Sequence, residues 1–485
     1  MKKNVFEKKD WLILFFILLI ATLLRLYKIN SPLADFHSWR QADTAAVARN
    51  FVKSGFDFLH PRFDDLSSIQ SGKENPKGYR MVELPIYNVI FAYAYKIFPV
   101  FSLEVFGRLT TLFFSLIIIF VIYCLSLMEN QRTTAIFTSL VYAILPFIVF
   151  FSRVVLPETT AVSLAFLGLF FLYLYSRNKQ TLPSGFLLVL SIVSFAVSFL
   201  IKPVTVFYLL PAGYLFLTKH SWSTYKKVSF YLFFVISVTP LLLWRLYIKH
   251  YPEGIPESSW LLTDVNTYQG RLSIFFKPAF FRWIFFERIN NDILGGYLTF
   301  FLILGIISKP KRIFFHLLLV SSIIYLFVFQ GGNVQHEYYQ TLILPGIAIM
   351  IGLGINSLFT NRKIFINPFF GTLLIIAIFA FSWFFSFYKV RDFYYFPPEL
   401  PQIAKIVRTL TPPDAKIITD RMGDTTLLYL IDRKGSPALN KELSELKNMG
   451  YQYFVTLNPE TIANTKKTEL YKTVFENSQF TLFSL

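Results

Sequence analysis

Two aspartates in one polar stretch could take a proton from a hydroxyl. Residues 31–62 read SPLADFHSWRQADTAAVARNFVKSGFDFLHPR and carry Asp35, Arg40 and Asp43. Ser38 followed three residues later by Gln41 fits a capping box, which predicts a helix starting at Ser38. On that helix Trp39, Asp43 and Val47 share a face at four-residue spacing. Asp43 would then be a carboxylate held on a rigid element, able to act as a general base. The plainer alternative is that Asp43 only pairs with Arg40 or Arg49. Asp35, just before the helix, is the second catalytic candidate, with a turn role equally open to it.

A second set of residues suits phosphate and sugar contacts. Glu83 (in VELP) and Glu158 (in LPET) stand at the edges of apolar segments, where an acid also favours a helix start. Arg153 lies five residues before Glu158. Lys202 ends one apolar run beside Pro203 and offers an ammonium to a lipid-linked phosphate, or snorkels to the interface. His336, Tyr338 and Tyr339 (in HEYY) open a late apolar run, where tyrosines also form interfacial belts. Arg40 joins this donor-binding set. No histidine and cysteine spacing suggests a metal, and neither a P-loop nor GxGxxG occurs, so neither metal nor other cofactor is expected.

These residues need a membrane scaffold. The chain has 485 residues, 54% hydrophobic and 19% aromatic, with 16% charged, which is a polytopic membrane composition. The net charge of +18 lies in short clusters between apolar runs, the pattern of loops on anionic lipid and not of a nucleic-acid binder. The single cysteine, Cys124, lies in an apolar run and excludes an internal disulfide. The first span, 11–29, follows lysines at 2, 3, 8 and 9 and has no cleavage site, so it reads as retained with a cytoplasmic amino terminus.

About eleven spans are expected in all, the ten after the first near 106–127, 133–152, 158–175, 184–200, 203–218, 227–248, 294–308, 313–330, 340–358 and 366–388. The stretch 85–100 is short and amphipathic, so it reads as a helix lying in the interface. In that register the basic residues collect on the cytoplasmic side, including Arg132, Arg177, Lys179, Lys309, Lys311, Arg312, Arg362 and Lys363. The first loop (31–105), 153–158, Lys202, 249–293 and 331–340 then face outside. The expected division is a membrane domain over 1–389 and a small soluble extracytoplasmic α/β domain over 390–485, with strands at 415–420 and 451–457 and a helix over 441–449.

The blocks HSWRQADTAAVARNF, FLHPRFD, VELPIY, SRVVLPE, FLIKP and HEYYQTLILPGIA, in this order, resemble the membrane glycosyltransferases of the GT-C superfamily. Within it the resemblance is to protein O-mannosyltransferases, lipid A aminoarabinose transferases and the bacterial RgtA/B/C/D-like set, over about residues 10–360. It implies an all-α polytopic membrane fold in the bacterial inner (plasma) membrane. It also implies inverting transfer of a sugar from a polyprenyl-phosphate donor to an extracytoplasmic glycan, lipid or protein, with no nucleotide. One departure is that relatives of this type carry Asp-Glu where Arg40-Gln41 stand here, moving the acid to Asp43. Lys202, His336 and Arg153 would neutralise the leaving phosphate. Competing classes are a lipid-linked-sugar flippase or other transporter, which calls for mid-membrane charges in matching halves, and an O-antigen ligase or polymerase, which calls for a late large loop.

Overall fold

Apolar runs punctuated by prolines and short polar turns fold into the helices that dominate the computed structural model, which describes residues 6–177, 183–258, 261, 278–310, 312–360 and 367–485. Lys179, Lys311, Arg362, Lys363, part of the loop 249–293 and the start of the span expected at 366–388 lie outside the described residues. Among the described residues, five stretches are long and apolar enough to cross a membrane: Leu103–Glu129, Glu158–Ser176, Ser184–Ile201, Val228–Ile248 and Phe369–Leu410. The first expected span is an unbroken helix of 18 residues, Lys8–Arg25, that carries four charged residues, and the other expected spans are shorter or broken helices. The run at 133–152 splits at Pro146, and the run at 203–218 opens with a tight turn over Pro203–Tyr208, because proline lacks the amide an inner helical position needs. The stretch at 85–100 forms a helix of only 12 residues, Ile86–Ile97, too short to span.

The chain divides into two compact units. The first comprises Met1–Ile29, Arg108–Trp244 and Ser258–Asp392, and is a bundle. Its helices are α1 (Lys8–Arg25), α4 (Leu103–Glu129), α5 (Arg132–Ile144), α6 (Pro146–Phe151), α7 (Glu158–Ser176), α8 (Ser184–Ile201), α9 (Leu209–His220), α10 (Val228–Ile248), α11 (Thr299–Ile307), α12 (Phe314–Val328), α13 (Leu344–Thr360) and α14 (Pro368–Val390). Helix α1 is pinned to α5 at both ends. Asp10 receives Arg132 through two oxygens (2.5 and 3.0 Å), while buried Arg25 donates to Ser152 Oγ and the carbonyls of Ala143 and Tyr142. Both charges are satisfied inside, and Trp11, Phe15, Phe16 and Leu19 face outward, as a lipid-facing stripe would. Helix α13 packs against both α5 and α11. Gly352 lies on Thr138, and Gly305 and Gly354 lie against the backbones of Met350 and Phe301, where a Cβ would overlap the neighbouring helix. Small residues permit this close approach.

The second unit gathers Asn30–Gly107, Arg245–Glu257 and Phe393–Leu485. It contains α2 (Ser38–Ser54), α3 (Ile86–Ile97), α15 (Glu399–Leu410), α16 (Thr426–Ile431) and a five-stranded sheet. The strands are β1 (Lys416–Thr419), β2 (Lys434–Ser436), β3 (Tyr453–Thr456), β4 (Lys472–Glu476) and β5 (Thr481–Ser484), in the order β2-β1-β3-β5-β4. Strands β2, β1 and β3 are parallel, and β5 runs antiparallel to β3 and β4. The expected strands at 415–420 and 451–457 are β1 and β3, and the expected helix at 441–449 is Leu443–Asn448. One sheet face packs Ile417, Val455 and Leu482 on Ile403 and Val407 of α15. The first loop covers the β2 edge: Gly435 donates to Asp64 O and accepts from Leu66 N, so the edge is closed and not exposed for further pairing.

Candidate active site

Helix α2 begins at Ser38 as its spacing requires, but not by a capping box. The N-cap is His37, in the left-handed region at φ 56°, and no side chain caps the helix. Gln41 turns away from the helix start, and its amide donates to Asp35 Oδ1 at 2.6 Å and to Phe36 O at 3.0 Å. Asp35 is thereby fixed in the turn ahead of α2, buried at 3% exposure. The Ser38 hydroxyl instead accepts from Thr426 Oγ1.

Asp43 pairs with neither Arg40 nor Arg49. Its side chain is fully buried, and Arg80 lies 3.0 Å from Oδ2. Gln70 Nε2 also donates to Oδ2 at 3.4 Å, and Thr425 Oγ1 donates to Oδ1 at 2.7 Å. Both oxygens therefore carry donors drawn from three separate segments. Arg40 pairs with Glu83 at 2.7 Å, and Arg49 pairs with Asp64 and, at 3.0 Å, with Asp432. Arg49 also stacks on Tyr429 of α16, 4.3 Å from the ring centre. Helix α2 is thus bolted to the C-terminal fold by Asp43–Thr425, Ser38–Thr426 and Arg49–Tyr429. Burial lowers the pKa of Arg80, and burial raises Asp64 despite the Arg49 guanidinium beside it. Burial also pushes Asp65 up to about 7, although Ser67 donates to Oδ1 through both its backbone N–H and its hydroxyl.

The helical unit holds the other sequence-derived residues. Glu158 opens α7, and Lys202 caps α8 where Pro203 turns the chain. Their charged ends lie 2.6 Å apart, both nearly buried, so Lys202 is not the lone lysine its sequence context suggested. The Lys202 ammonium also lies over the Tyr339 ring, 5.4 Å from its centre. Tyr338 and Tyr339 stack at 4.8 Å, and His336 stacks on Tyr338 at 5.3 Å. Glu337 is taken by Arg288. Arg153 is fully buried, and its Nη2 donates to Lys28 O at 3.1 Å. The structure therefore brings Glu158, Lys202 and Tyr339 together with the aromatic stack, and Arg40 with Glu83. Arg80, Gln70, Thr425 and Arg288 were missed; Arg80, three residues before Glu83, was the one with a visible signal. Among the described residues no group of histidines, cysteines or carboxylates could hold a metal ion.

The whole chain overlays on solved membrane transferases at low sequence identity. ArnT from Cupriavidus metallidurans bound to undecaprenyl phosphate matches with TM-score 0.67 and 13% identity, over 99% of this chain and 98% of that one. The oligosaccharyltransferase AglB from Archaeoglobus fulgidus, in complex with an inhibitory peptide and a dolichol-phosphate, matches with TM-score 0.59 and 10% identity, over 93% of this chain and 69% of that one. The arabinofuranosyltransferase AftD from mycobacteria gives TM-score 0.56 and 14% identity, over 100% of this chain and 42% of that one. The architecture is the GT-C fold of membrane glycosyltransferases. Within it, the family described as dolichyl-phosphate-mannose-protein mannosyltransferase matches residues 83–244. Comparison with curated proteins by sequence gave no match.

Proposed function

We propose that the protein is an inverting glycosyltransferase of the bacterial inner membrane that moves a sugar from a polyprenyl-phosphate donor to an extracytoplasmic glycan, lipid or protein. The observation that carries this reading is the end-to-end likeness to ArnT bound to undecaprenyl phosphate, with the mannosyltransferase family match inside it. The basic residues between apolar runs support an extracytoplasmic site.

Asp43 is saturated by Arg80, Gln70 and Thr425, and taking a substrate proton would mean giving up those donors. In this reading the base is Asp35, oriented by Gln41. Asp35 takes the proton of the acceptor hydroxyl or amine as that atom bonds to the anomeric carbon. The bond from this carbon to the phosphate oxygen breaks, and its electron pair leaves with polyprenyl phosphate. Lys202, released in part from Glu158, meets the growing phosphate charge, with Arg153 and His336 as further donors. Preorganised charge of this kind usually supplies the largest share of rate enhancement. Tyr338, Tyr339, Arg40 and Glu83 bind the sugar and orient the donor.

The test is donor turnover by purified protein in lipid nanodiscs, read as release of free polyprenyl phosphate from a set of polyprenyl-phosphate sugars and envelope extracts as acceptor. Release that depends on acceptor and on Asp35 supports the reading. Movement of intact donor across the bilayer without release would replace it with a transporter.

A further inference from the structure

The helical unit holds a polar cavity of about 360 Å³ apart from the residues above, lined by Glu129, Gln131, Lys309, Arg312, His316 and Asn356 among others. That volume suits a small ligand or headgroup. The cavity lies where helix ends meet. Helices α4, α11 and α13 finish there, at Glu129, Ile307 and Thr360, while α5 and α12 begin there, after Gln131 and Ile313. Helix α4 has 27 residues, about 40 Å at helical rise, long enough to extend past a hydrocarbon core of about 30 Å.

Two chemistries line this cavity. One is a set of buried acceptors with no hydrogen-bond donor. Glu129 Oε1 and Asn356 Oδ1 are buried with no hydrogen-bond partner, on residues 8% and 6% exposed. His316 Nε2 donates to Ile306 O at 3.2 Å, so in the neutral ring Nδ1 is an acceptor, and this atom too is buried with no hydrogen-bond partner. Glu129 spends its other oxygen on Tyr173 and Arg177, and Arg312 stays 4.0 Å from Oε1. Buried acceptors left open favour a donor-bearing ligand, and three helix C-termini favour a cation. Around the same cavity, exposed Lys309 and exposed Arg312, the latter beside Glu129, stand near two helix N-termini, a setting for phosphate.

We propose that this cavity binds an ammonium-bearing phosphate ester, the chemistry of an ethanolamine phosphate headgroup. The ammonium donates to Glu129, Asn356 and His316, and the phosphate meets Lys309 and Arg312. The same group comes from a phospholipid or from a free ester, and the two are separable by experiment.

The full-length protein is delipidated and given equal amounts of phosphatidylethanolamine, phosphatidylcholine and phosphatidylglycerol, and retained lipid is read by native mass spectrometry. Phosphatidylethanolamine should be retained about tenfold over phosphatidylcholine, whose methylated nitrogen cannot donate, and over phosphatidylglycerol, which lacks the cation. The double variant Lys309→Gln/Arg312→Gln should lower its retention about tenfold, the worth of one charge-assisted contact. Asn356→Leu, close in volume, should remove most of the preference over phosphatidylcholine while the protein keeps its elution volume and helicity. Glu129 is left intact because it also holds Tyr173 and Arg177. Displacement by millimolar phosphoethanolamine would assign recognition to the headgroup alone, and resistance to it would assign the lipid as the source. Equal retention of the three lipids, or a preference unchanged in both variants, overturns the proposal.

Discussion

Asp43 and Glu158 are both buried carboxylates near the start of a helix, each beside a cation, yet they are held differently. Asp43 has a guanidinium, a hydroxyl and an amide on its two oxygens, contributed by Arg80, Thr425 and Gln70. Glu158 faces the Lys202 ammonium at 2.6 Å, with neither oxygen in an aligned hydrogen bond. A carboxylate saturated from several segments is a fastener, since every donor it loses leaves a buried charge unpaired. A carboxylate opposite one ammonium can share it with an incoming anion at smaller cost. The difference teaches that burial and charge alone do not mark a working acid; the number and origin of its donors do.

The largest effect expected from this contrast lies with Asp35. Asp35→Asn should lower turnover by about 10²–10⁴-fold, the usual cost of losing a general base, while donor binding and melting temperature stay close to wild type. Asp43→Asn should act the other way, with lower stability and a smaller loss of turnover per folded molecule. A stable Asp43→Asn protein without turnover, beside an active Asp35→Asn protein, would reverse the two roles.

Arg80→Ala comes next. It strips the cation from a fully buried aspartate, a change that costs about 3–5 kcal/mol when no other charge compensates. Thr425 and Gln70 remain, so the loss should fall at the lower end, and the double variant Arg80→Ala/Asp43→Asn should recover part of it. Limited proteolysis reads the outcome directly: Arg80→Ala should expose cleavage sites around 421–435, where α16 meets α2. A cleavage pattern identical to wild type would mean that this network fastens nothing.

The pair in the helical unit should respond in binding. Lys202→Ala should weaken polyprenyl-phosphate binding and turnover together, because a phosphate contact acts in ground state and transition state alike. Glu158→Gln should tighten binding of free polyprenyl phosphate by a few-fold, since Lys202 is no longer shared with a carboxylate. Weaker binding in Glu158→Gln would show that Glu158 is needed to hold Lys202 in place and does not compete with the phosphate.

Much of this was legible in the chain. The helix at Ser38 was expected from its Ser–Gln spacing, and the strands β1 and β3 from short apolar runs in the polar tail, Ile417–Ile418 and Phe454–Val455. The grouping of Glu158, Lys202 and Tyr339 followed from their shared position at the ends of apolar runs. The capping box misled because Ser and Gln at that spacing have more than one use: Gln41 orients Asp35, and Ser38 accepts from Thr426. The partners of Asp43 were hidden because Thr425 lies 382 residues away, and no local pattern encodes so distant a contact. Strand β2 was missed because Lys434, Gly435 and Ser436 carry no alternation; the strand is held by backbone pairing to β1 and to the first loop. Proline breaks within apolar runs, as at Pro146 and Pro203, divide two of the expected spans into shorter helices.

The smallest expected effect concerns Asp65, beside the Asp43 network. Burial holds its pKa up to about 7, the nearby Asp43 charge pushes the same way, and Ser67 and Arg80 pull it down. An acid raised in the folded state binds its proton more tightly there than in the unfolded chain, so its contribution to stability is fully present below about pH 4 and is lost as pH rises through about 7. Wild-type protein should therefore gain melting temperature relative to Asp65→Asn as pH falls from 8 to 5. At pH 8 the asparagine, still able to accept from Ser67 but uncharged, should be the more stable of the two. Intrinsic-fluorescence melting of both proteins in the same detergent across that range measures the difference. A gap between them that stays constant with pH would mean that Asp65 is charged throughout and that the cations around it, Arg80 above all, outweigh its burial.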